Sequence, residues 1–73
     1  MKTITQAYLR GIREGRETLQ QFERDGIANL ETARAALANC KELLGMGFAD
    51  EMRDSFRGER DFWKNQIKKG LIK

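Results

Sequence analysis

The chain has 73 residues, with 14 lysines and arginines against 11 acids, no histidine, no proline and one cysteine. That length sets a ceiling of one domain, and a core this small rarely supplies more than about 3–5 kcal/mol without a staple. A single thiol without histidine offers neither an internal disulfide nor a zinc ligand set, so oligomerisation or docking on a partner is the staple that remains.

The first predicted helix covers about residues 3–24, with Thr3 or Thr5 as its N-cap. Ile4, Tyr8, Ile12, Gly15, Leu19 and Phe22 recur at steps of three and four and define an apolar stripe. The opposite face is charged: Arg10, Arg13, Glu14, Arg16, Glu17, Glu23 and Arg24. Gly11 and Gly15 lie one turn apart on or beside the stripe. A glycine inside a helix costs about 1 kcal/mol against alanine, so two of them point to a place where another backbone comes very close. Asp25-Gly26 ends the helix, with the glycine suited to the left-handed C-terminal position.

A second helix is predicted over 29–44, with Asn29 as N-cap and Glu31 in the first turn. Its stripe is Leu30, Ala33, Leu37, Cys40 and Leu44. Alanines at 33, 35, 36 and 38 make it slim, which marks it as the expected partner of the glycine-bearing face. Cys40 sits on the stripe and reads as a small buried apolar residue rather than a reactive thiol. After the break at Gly45-Met46-Gly47, a third helix is predicted over 50–69, with Asp50 as N-cap or first-turn acid. Met52, Phe56, Glu59, Trp63 and Gln66 or Ile67 share a face, Phe62 lies beside it, and Ser55 and Gly58 are small residues near it. Gly70 ends it, and Leu71, Ile72 and Lys73 are expected to fray or dock on a neighbour. The expectation is a single all-α domain spanning 1–73: three helices in an antiparallel hairpin or bundle, oligomeric in its working form. Alternatively, the first two helices form a long hairpin that dimerises.

No catalytic constellation is present. Neither Cys40 nor Ser55 has a histidine to act as base. The pairs Asp50–Asp54 and Glu51–Asp54 stand at a helix start, where acids serve capping and the dipole. Gly45-Met46-Gly47 lacks the further glycine and the lysine of a phosphate loop. The reading is a protein without enzymatic activity, cofactor or metal. The N-terminal residues carry no apolar run fit for a signal peptide and no segment approaches a membrane span, so a reducing cytoplasm is expected.

Charge leaves two readings open. Arg10, Arg13 and Arg16 form one basic stripe, and Arg53, Arg57, Arg60, Lys64 and Lys68 another, with Glu14, Glu17, Asp54 and Asp61 interleaved. They form a salt-bridged solvent face, or Arg10, Arg13, Arg16, Arg53, Arg57 and Lys68 bind the phosphate of a nucleotide signal or nucleic acid. No aromatic side chains alternate with these cations, and no known DNA-binding helix pattern matches. Phe62 and Trp63 are adjacent and so point about 100° apart. Either both fill the core, or Trp63 is an exposed hot spot. In the latter case the partner contacts are Tyr8, Phe22 and Trp63, with Arg57, Arg60 and Lys64 steering association.

At AYLRGIREGRE (7–17) and GERDFWKNQIKK (58–69) the chain resembles small helical accessory proteins encoded by bacteriophages and prophages. The resemblance is one of style over most of the chain and carries no catalytic motif. It implies a host-cell cytoplasm and a stoichiometric role: binding, and inhibiting, a bacterial defence or regulatory protein. A structural role in a virion or scaffold is a further expectation.

Overall fold

A computed structural model describes residues 4–70, which form three helices: α1 (Gln6–Arg24), α2 (Leu30–Leu44) and α3 (Asp50–Lys68). No strand occurs among the described residues. Of the two N-cap candidates for α1, Thr5 takes the role: its hydroxyl oxygen accepts from the Tyr8 amide at 3.1 Å. Thr3, and the three C-terminal residues expected to fray or dock, lie outside the described residues. At the far end of α1, Gly26 adopts φ +73°. The Ile27 amide reaches back to the Phe22 carbonyl at 2.9 Å and the Gly26 amide to that of Glu23 at 3.2 Å, the paired bonds of a Schellman cap. The Asn29 side chain accepts from the Thr32 amide at 2.9 Å and so starts α2. Ala49 precedes α3 without a side-chain cap, which leaves Asp50 and Glu51 as first-turn acids facing the positive end of the dipole.

The packing differs from the sequence expectation in one respect that governs everything else. α1 lies against α3, not against the slim α2, and α1 and α2 make no close backbone contact. Thr5 meets Asp54, Gly15 meets Phe62 and Phe22 meets Trp63, so α1 and α3 run parallel. α2 packs antiparallel on α3, with Cys40 at Glu59 and Phe48, just beyond α2, at Phe56. Consecutive helices do reverse, as short loops require, but the closest interface joins two parallel ones.

Steric size explains the choice. A Cβ built on Gly11 would fall on the Ser55 carbonyl oxygen, with the Ser55 carbonyl carbon at 2.8 Å and the Glu59 nitrogen at 3.1 Å. The relation is reciprocal: a Cβ on Gly58 would fall on the Tyr8 carbonyl oxygen, with the Ile12 nitrogen at 3.1 Å. Each helix contributes one glycine to a crossing in which backbone touches backbone. An alanine-rich helix still carries Cβ atoms and cannot come as close. Gly15 plays a lesser part, since its missing Cβ would meet only the Phe62 ring, at 2.8 Å.

The core is Ala33 and Cys40 from α2 with Phe62 and Trp63 from α3. Ile12, Leu19, Phe22, Ala36, Leu37 and Ile67 pack around it. The two adjacent aromatics divide the work: Phe62 fills the space above Gly15, and Trp63 tilts against Phe22 with ring centroids 5.9 Å apart. The rings meet edge to face at 5.1 Å. No described helix is long and apolar enough to cross a membrane.

Candidate functional site

The arginines are held along the seam between α1 and α3. Thr5 donates to Asp54 at 3.1 Å, and Arg57 pairs with the other oxygen of the same carboxylate at 3.6 Å. The Tyr8 hydroxyl donates to Asp61 Oδ2 at 2.5 Å, while the Arg60 guanidinium grips Asp61 Oδ1 at 3.0 Å. By accepting the hydrogen bond of the protonated phenol, the Asp61 carboxylate raises Tyr8 above its ordinary value, with burial adding to the effect. Arg10 pairs with Glu51 at 3.5 Å and Arg53 with Asp50 at 3.8 Å. Four of the stripe arginines are therefore engaged with acids, as the salt-bridge reading has it. Arg13, Arg16, Lys64 and Lys68 are exposed and make no ion pair among the described residues.

The aromatic residues expected as partner contacts do not share a surface. Trp63 is 2% exposed, so the hot-spot reading gives way to the core reading. The reason is that α2 and Phe22 close over it, a covering that adjacency to Phe62 could not reveal. Phe22 is half-buried against Trp63, and Tyr8 is half-buried and tied to Asp61. Of the steering cations, only Lys64 is exposed; Arg57 and Arg60 are half-buried.

The exposed apolar side chains lie elsewhere. Leu9, 54% exposed, lines a recess of about 250 Å³ with Gln6, Arg10 and Arg13. Arg10 also borders a second recess of about 370 Å³, formed with Glu14, Met52, Ser55 and Phe56. Met52 is 47% exposed, and Phe56 is braced edge to face by Phe48 at 5.4 Å. Arg10 lines both recesses, which are apolar and cationic in character. Leu9 was the legible signal: it stands off the apolar stripe, in the charged face, where packing within the chain does not call for it.

At the junction of all three helices, the Cys40 thiol donates to Glu59 Oε2 at 3.6 Å. Burial first, then the hydrogen-bonded and repelling Glu14 carboxyl, push Glu59 up to about 7, with the Cys40 contact opposing. Burial and the Glu59 charge push the Cys40 thiol up to about 12. At neutral pH Cys40 is thus a protonated, non-nucleophilic core residue.

The sign of the Glu59 effect follows directly. The native state holds this proton until about pH 7, whereas the unfolded chain releases it near 4.5. The contribution is therefore complete below pH 4.5 and is lost as pH rises through 7. Solvent reaches this half-buried group, so screening reduces the effect to about 1 kcal/mol. Urea denaturation at about pH 5 and pH 8 is expected to show a fall in stability that Glu59→Gln abolishes. An identical pH difference in the variant would remove Glu59 as its cause.

Comparison with known proteins returned no match: no family model fits the chain, and no curated protein or solved structure matches it.

Proposed function

We propose that this chain is a non-enzymatic binding module that occupies the surface of a protein partner through the face centred on Arg10. The observation that carries the proposal is that Arg10 lines two recesses, one with the exposed Leu9 and the other with the exposed Met52. Arginine, methionine and phenylalanine are the residues enriched where protein interfaces bury most. Arg13 is left without an acid among the described residues and, with Arg10, suits a partner surface that is apolar at its centre and acidic at its rim.

The resemblance to phage-encoded accessory proteins supplies the class of partner: a bacterial defence or regulatory protein in the host cytoplasm, inhibited by occupancy. Homo-oligomerisation is the second use this face supports, because a core of four buried apolar residues among the described residues gains from covering Leu9 and Met52.

The test is capture from bacterial lysate with tagged protein, alongside mass in solution by light scattering. The expected result is a discrete partner enriched by the wild type and lost with a Leu9→Lys, Met52→Lys double variant. That variant leaves the core untouched, and its circular dichroism is expected to match the wild type. A partner retained by the double variant, or none enriched by the wild type, sinks the reading.

A further inference from the structure

A third recess, of about 240 Å³, lies between α1 and α3 and shares no residue with the other two. Ile12 and Phe62 supply its apolar wall, and the Tyr8–Asp61 hydrogen bond lies at one end. Arg16 follows Tyr8 by eight residues and Lys69 follows Asp61 by eight. Because α1 and α3 are parallel, eight residues carry both cations about 12 Å farther along the helix axes, and both line the same recess. Both are exposed, and neither makes an ion pair among the described residues. Asn65 lines the recess between the two ends and offers an amide donor and acceptor.

We propose that this recess binds a nucleoside monophosphate, with the phosphate between Arg16 and Lys69 and the base along Ile12 and Phe62 within reach of Asn65. Arginine and lysine suit a phosphate monoester as fork and point charge respectively. The volume lies just under the range of about 300–1,000 Å³ usual for drug-sized ligands, which fits one nucleotide half-exposed in a groove. The recess is short enough for a single nucleotide, and the Asp61 carboxylate at its far end disfavours a second phosphate there. The site moves anion recognition away from Arg53 and Arg57, which are held by Asp50 and Asp54. It is independent of the docking face at Arg10.

The experiment is calorimetric titration of the full chain at low salt with AMP, adenosine, inorganic phosphate and a short single-stranded oligonucleotide. AMP is expected to saturate at one per chain, with the other three binding more weakly. Arg16→Gln and Lys69→Gln are each expected to weaken AMP about tenfold, and Arg13→Gln, an exposed cation outside the recess, less than twofold. The Leu9→Lys, Met52→Lys variant is expected to bind AMP unchanged, which separates this site from the docking face. Four results overturn the proposal: no saturable AMP binding; inorganic phosphate binding as tightly as AMP; the oligonucleotide binding more tightly; or Arg13→Gln matching Arg16→Gln.

Discussion

Gly11→Ala and Gly58→Ala are each expected to cost about 3 kcal/mol, the upper end for overpacking, enough to unfold much of the population of so small a domain. The result runs against helix propensity, which favours alanine over glycine by about 1 kcal/mol at an exposed helical site. Steric exclusion wins here because the obstacle on each side is backbone. The added methyl of Gly11→Ala meets the Ser55 carbonyl, and that of Gly58→Ala meets the Tyr8 carbonyl. Neither can move without shifting a helix. Gly15→Ala provides the internal control. Its methyl meets the Phe62 side chain rather than a backbone, and Phe62 is buried against Trp63, so its cost is expected at about 1–2 kcal/mol, below that of Gly11→Ala. The Gly11→Ala, Gly58→Ala double variant is expected to be less than additive, because one separation of the helices relieves both clashes. Thermal and urea unfolding followed by circular dichroism measure all four. A Gly11→Ala protein as stable as the wild type would mean that α1 and α3 do not cross at these residues.

Trp63→Ala is expected to remove about 3–5 kcal/mol, comparable with the whole margin such a core supplies. Three losses combine: the buried indole surface, the tilted contact with Phe22 at 5.9 Å and the edge contact with Phe62 at 5.1 Å. Trp63→Phe keeps an aromatic ring in place and is expected to retain the fold with a smaller deficit. As the only tryptophan, Trp63 also reports on its own surroundings. Its emission is expected to be blue-shifted and resistant to acrylamide in the native state, and to shift red on unfolding. A tryptophan serving as an exposed binding anchor behaves in the opposite way: quenched readily when native, and replaceable by alanine without loss of stability. Trp63→Ala melting within about 1 kcal/mol of the wild type would restore that view.

These variants bear on function as well as stability. Gly11 and Gly58 set the distance between α1 and α3, and both flanks of that interface hold recesses. Loss of the crossing removes the Arg10 face and the Arg16–Lys69 groove together. The surface substitutions remove one at a time.

The number and type of the helices were written in the sequence, because stripes with steps of three and four, Thr5 and Asn29 as caps, and Gly26 as a stop are local signals. Cys40 on the α2 stripe was likewise readable as a buried residue. The glycines announced a close approach, but not which helix makes it. Alanine-rich α2 and the Ser55–Gly58 face of α3 were both narrow enough to qualify by composition. Only the folded chain separates them, since contact between two backbones demands a missing Cβ on both sides and α3 alone supplies a second glycine. The same non-local packing turned Trp63 inward, brought Thr5 to Asp54 and Tyr8 to Asp61, exposed Leu9 and Met52, and set Glu59 between Cys40 and Glu14. Periodicity determines which face of a helix is apolar. What covers that face depends on residues far away in the chain, through steric fit and the competition of charges for partners.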